Sequence, residues 1–151
     1  MATTDDPRKA IVGAWRLVHS VAYGPGGERR YPFGEDAVGY IMYSETGVMA
    51  VQIARRVRAG DAVARSDYLA YFGRYEMDTE NRLVRHHLEG QLRPGDLPDH
   101  LARSYEFDDD KLSLRPREGT DREILWQRAP SGAEARGTSG TEPGEKKGPL
   151  Q

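Results

Sequence analysis

Four residues in this 151-residue chain pair reactive side chains with apolar neighbours at strand spacing: His19, His86, Tyr75 and Arg103. His19 alternates with Trp15, Leu17 and Val21. His86 sits between Val84 and Leu88. Tyr75 alternates with Tyr71, Gly73 and Met77, and Arg103 with Tyr105 and Phe107. An imidazole in apolar surroundings is neutral near pH 7 and can give or take a proton. A phenol can assist that transfer, and a guanidinium can stabilise the oxyanion that develops. Together they define cofactor-free acid/base chemistry.

Other chemistries lack their residues. The chain has no cysteine, so disulfides, thiolate ligands and thiol nucleophiles are excluded. It carries no G-x-S-x-G elbow, P-loop, dinucleotide fingerprint or H-E-x-x-H. His86 and His87 are adjacent, so one strand points them to opposite faces and they cannot share a metal from there. No metal and no cofactor is expected. Glu35 and Asp36 read as rim carboxylates in a loop. A net charge of −2 gives no general attraction to nucleic acid or anionic membranes. No window approaches the roughly 20 apolar residues of a membrane span, and residues 1–9 carry no secretory h-region. A cytoplasmic setting is the expectation.

These side chains need a frame, and the chain reads as all-β. Asp6-Pro7 reads as an N-cap with Pro at N1, opening a helix of about two turns that stops at Gly13. Alternating runs follow: 13–23, 38–44, 48–54, 71–77, 82–92, 102–107, 111–116 and 122–128. Ser44-Glu45-Thr46-Gly47 reads as a hairpin turn with Gly in the left-handed region, and Asp108-Asp109-Asp110 as a tight turn. Asp61 caps a short helix expected to run to about Leu69. Eight short strands in sequence suggest an antiparallel meander closed into a barrel, with an interior just wide enough for a small ligand. Residues 129–151, "APSGAEARGTSGTEPGEKKGPLQ", hold one large aliphatic and no aromatic residue. That composition reads as a disordered tail after a barrel domain of residues 1–128.

Gly13-x-Trp15 on the first strand and Arg128 on the last resemble the lipocalin signature, in which the Trp plugs the closed end and the Arg packs over its ring. In order, "IVGAWRLV", "YPFGEDAVGYIMYSETGVMAVQ", "YLAYFGRYEMD", "RHHLEGQL" and "ILWQR" resemble the bacterial and fungal lipocalin-like domain family, from about residue 11 to 128. The resemblance implies an eight-stranded antiparallel lipocalin-like β-barrel. Members look like small single-domain barrels, often encoded with natural-product pathways. Similar small barrels fold polyketide-derived chains and promote ring closure without a cofactor.

A ligand cavity accounts for large, adaptable side chains on the strand faces. Tyr40, Met42, Tyr43, Met49, Gln52, Tyr71, His87, Glu89 and Tyr105 are the candidate ligand contacts. Either face of the second and third long strands could look inward, since one register slip exchanges them. A bulge would do the same for the face carrying His87, Glu89 and Gln91. The leading expectation is a cofactor-independent cyclase or isomerase of a polyketide-like hydrophobic substrate. It would act by holding a reactive chain in one conformation, aided by His19, His86, Tyr75 and Arg103. The alternative is a non-catalytic carrier or sequestering protein for a small hydrophobic molecule. A protein-interaction module would want an exposed apolar edge, which the pattern does not present. The expected partner is that small molecule, with no nucleic acid and no membrane, in a monomer or homodimer.

Overall fold

Alternating runs separated by short turns pair each strand with the next. The computed structural model describes residues 6–117, 119 and 121–130. It contains β1 (Gly13–Tyr23), β2 (Arg29–Arg30), β3 (Val38–Tyr43), β4 (Val48–Ala54), β5 (Tyr68–Asp78), β6 (Leu83–Gln91), β7 (His100–Asp108), β8 (Lys111–Pro116) and β9 (Arg122–Arg128). All pairings are antiparallel, in the order β2-β1-β3-β4-β5-β6-β7-β8-β9, and β1 also pairs with β9. That last pairing closes the sheet and removes its long edges. The two-residue β2 only extends the end of β1, at Ala22 and Tyr23. The closed barrel therefore has the eight strands expected.

The helical segments are shorter than the sequence suggested. α1 (Pro7–Ala10) is a single turn, with the Asp6 carboxylate accepting from the Arg8 amide at 3.0 Å. The helix expected over 61–69 is a 3-10 turn, Arg65–Asp67, and Leu69 already belongs to β5. The Asp61 carboxylate turns back to accept from the Arg58 amide, and Asp67 accepts from the Ala64 amide and Arg55 Nε. These local bonds hold a loop rather than capping a helix. Among the described residues no helix is long and apolar enough to cross a membrane. The tail expectation for residues 131–151 lies outside the described residues. Ala129 extends the barrel, its amide donating to the Ala14 carbonyl at 2.9 Å.

The barrel has a plugged floor. Trp15 is fully buried, and its indole N–H donates to the Ile11 carbonyl at 2.9 Å. The Arg128 guanidinium lies 4.1 Å from the Trp15 ring centroid and donates to the Val12 and Ala10 carbonyls. One side chain thus covers the indole and satisfies backbone acceptors at the end of α1 and just beyond it. Gly13 has φ +130°, and a Cβ there would meet Arg128 Nη1 at 2.9 Å, so the plug needs glycine at this point. Phe107 packs on Trp15 and Tyr105 on Phe107, filling the same end.

Two bulges set which faces look inward. Leu17 pairs with Trp126 but His19 pairs with Leu125, so Val18 is the extra residue and the two sides exchange beyond it. Likewise Phe72 pairs with Gly90 and Gly73 with Leu88, which leaves Glu89 as the extra residue on β6. The backbone approach beside the second bulge is close: a Cβ on Gly73 would meet the His87 carbonyl oxygen at 2.0 Å.

Candidate functional site

The opposite end of the barrel is open. A cavity of about 680 Å³ lies there, bounded by the starts of β5 and β9, the end of β6, and the loops before β3, before β5 and after β6. Phe33, Leu69, Leu92 and Leu97 give it apolar walls, and Gln91 and Arg122 bring polar groups into it. Its volume is in the range of small-molecule sites, roughly 300–1,000 Å³. Three contacts brace the rim. Gln91 donates to the Leu97 carbonyl and accepts from the Leu97 amide. Arg65 pairs with Asp96, while Arg93 donates to the Arg65 carbonyl.

Deeper in the barrel the interior is filled. Ile41, Tyr43, Met49, Val51, Val84, Leu112, Leu114 and Trp126 are all buried in one continuous core. A polar group crosses this core. His86 is 1% exposed. Its Nε2 lies 2.7 Å from the Tyr43 hydroxyl and its Nδ1 2.7 Å from the Tyr71 hydroxyl. A neutral imidazole has one donor and one acceptor nitrogen, so one tyrosine donates to the ring and the other accepts from it. Burial, with the nearby charge of Arg103, pulls the His86 pKa down to about 3. Burial pushes Tyr71 up to about 12, against the pull of Arg103 and Arg122, and pushes Tyr43 well above the usual tyrosine value. All three groups are therefore neutral at pH 7. Reversing both hydrogen bonds would shift the proton between the ring nitrogens without creating a charge.

The structure separates the residues singled out from the sequence. His86, Tyr43 and Tyr71 meet, and Arg103 lies beside them on the inward side of β7. Tyr75 is also inward and packs edge-on to Tyr43, but its hydroxyl donates to the Ser44 carbonyl at 2.6 Å and is committed there. Met49 is a core residue, and Tyr105 belongs to the floor.

The remaining candidates lie outside the lumen. The Val18 bulge turns His19 outward, where it bonds Glu123 at 3.2 Å. Ile41, Tyr43, Met49, Val51 and Ile53 take the inward positions of β3 and β4. Tyr40, Met42 and Gln52 therefore point out and line a smaller outer hollow of about 280 Å³ with Val38 and Tyr68. That outer face exposes Tyr40, Met42, Val48 and Phe72, so a large apolar surface is present on a sheet face rather than at an edge. His87 also faces out, between Glu76 at 3.1 Å and His100 at 2.6 Å, and Glu89 is the exposed bulge residue.

Sequence reasoning missed two inward polar residues, Ser20 and Arg122, and left Gln91 on a face that a bulge could turn inward. Ser20 is brought in by the Val18 bulge and is fully buried. Gln91 is brought in by the Glu89 bulge. Arg122 was legible without any bulge, because it alternates with Ile124 and Trp126 on β9. Three side-chain atoms on this wall, Ser20 Oγ, Arg122 Nε and Trp126 Nε1, are buried without a hydrogen-bond partner among the described residues. Also among the described residues, no group of three or more histidine or carboxylate side chains is arranged to hold a metal ion.

A plugged floor with an arginine stacked on tryptophan, an eight-stranded closed meander and an open apolar mouth define a calyx-type barrel. The family model for the lipocalin-like domain matches residues 12–132, and the chain belongs to that family. One solved structure with a similar course is a redesigned β-barrel, 10% identical, covering 85% of this chain and 100% of its own, with a TM-score of 0.46. No curated protein matches the chain.

Proposed function

We propose that this barrel binds a small, largely apolar molecule through its open mouth. The observation that supports this most directly is the 680 Å³ cavity with apolar walls and a few convergent polar groups. Ligand burial there would remove the exposed surface of Leu69, Leu92 and Leu97 from water. Each 100 Å² of apolar area so covered contributes about 2–3 kcal/mol before the costs of association. The test is a titration with N-phenyl-1-naphthylamine, a neutral fluorescent probe, of the wild type and of Leu69→Trp. Leu69 lies on the cavity wall, so the larger ring should weaken binding at least tenfold while a melt confirms folding. Equal binding by both proteins would move the site elsewhere.

A second reading adds catalysis: ring closure or isomerisation of a polyketide-like chain without a cofactor. The Tyr43–His86–Tyr71 contacts favour it, because three neutral, hydrogen-bonded groups under the cavity can pass a proton without forming a buried charge. Arg103 would stabilise an oxyanion formed near Tyr71. A single-turnover assay with a linear polyketide-like substrate tests this reading. His86→Gln should slow product formation by about 10²–10⁴-fold with binding retained. A barrel that only carries its ligand will convert no substrate faster than buffer does.

A further inference from the structure

Two guanidinium groups face the barrel interior, and neither has a carboxylate partner among the described residues. Arg122 opens β9 opposite Ala22, on the same side as Ile124 and Trp126, and it reaches the mouth cavity. Its Nε is buried and unpartnered among the described residues. Arg103 projects inward from β7 between Val84 and Pro116, where its side chain makes a long bond, 3.5 Å, to the Ala102 carbonyl and interacts with the neutral Tyr71 hydroxyl, so no anion offsets its charge among the described residues. Burial and the like charge of Arg103 both hold the Arg122 pKa below its ordinary value, so the two charges oppose each other. Buried cations are normally paired, because removal from water is costly unless an anion or several acceptors replace it. The other arginines of the mouth are accounted for: Arg65 is paired with Asp96, and Arg93 donates to a backbone carbonyl.

We infer that the ligand of this barrel is an amphipathic acid, whose carboxylate is received by Arg122 and Arg103 while its apolar body lies along Phe33, Leu69 and Leu97. This rests on the reading of the mouth as the binding site and adds the ligand's chemical class to it. The guanidinium fork matches a carboxylate in two parallel hydrogen bonds, and low local dielectric strengthens them. The Ser20 hydroxyl, buried and unpartnered among the described residues on the neighbouring strand, is a further donor on the same wall.

The experiment compares decanoate with decanamide, which has the same chain and no charge, by displacement of N-phenyl-1-naphthylamine. The readout is the ratio of their dissociation constants at pH 8. In the wild type decanoate should bind about 10- to 100-fold more tightly, as for hydrogen bonds to an ionised group. Arg122→Gln and Arg103→Gln should each bring the ratio toward one. Arg122→Lys, which keeps the charge and loses the fork, should fall between and guards against misfolding of the Gln variant. If both compounds displace the probe equally from the wild type, the acid assignment is overturned and the mouth reading stands. A preference that persists in both Gln variants overturns the two arginines as its source. If the probe and both compounds fail to bind, the mouth reading falls, and the acid assignment with it.

Discussion

Lowering the pH from 7 to 5 should destabilise this protein through one side chain, His86. In the folded state burial holds its pKa at about 3, whereas in the unfolded chain it titrates near 6.5. The unfolded state therefore binds a proton between these values that the folded state refuses. His86's contribution is fully present above pH 6.5 and is lost as pH falls toward 3. Between pH 7 and 5 the loss is about 2 kcal/mol, set by the unfolded pKa, and it needs only a folded pKa below 5. The carboxylates held below their ordinary range, Asp67, Asp78, Asp110 and Glu123, lose their contributions mainly at lower pH. Urea melts at pH 7 and 5 on the wild type and on His86→Gln isolate the effect. The variant should be less stable at pH 7 but show about 2 kcal/mol less dependence on pH over this interval. The same pH slope in both proteins, or an imidazole resonance of His86 titrating near 6.5, would refute the argument.

Trp15→Ala should cost about 3–5 kcal/mol in denaturant melts, since it empties the floor and strands the Ile11 carbonyl. Arg128→Ala should cost less, about 1–3 kcal/mol, from lost stacking and two lost hydrogen bonds to carbonyls. Gly73→Ala should lower the melting temperature measurably, because the new methyl group meets a backbone oxygen of β6 that cannot move without parting the strands.

Alternation in the sequence carried most of the fold. Strands β4, β8 and β9 occupy the residues that their patterns mark, and Trp15 and Arg128 meet as their types suggest. The site was harder to read because a bulge leaves no clear trace in composition. His19 follows Trp15 and Leu17 in perfect alternation, yet the single extra residue Val18 sends it outward and brings Ser20 in. On β3 and β4 both faces carry large apolar residues, so periodicity alone could not choose between Tyr40 and Ile41. The choice is made by register across the barrel, where Ile41 pairs with Trp15. Arg122 went unread for a different reason: an arginine at a strand end looks like a solvated terminus until the cavity around it is seen.

The central claim is that ligands enter the mouth rather than rest on the apolar outer face. Amide chemical-shift mapping with N-phenyl-1-naphthylamine distinguishes the two directly. The account predicts shifts centred on Phe33, Leu69, Gln91, Leu97 and Arg122, which border the mouth cavity. Shifts centred instead on Tyr40, Met42 and Gln52, which line the outer hollow, would contradict it.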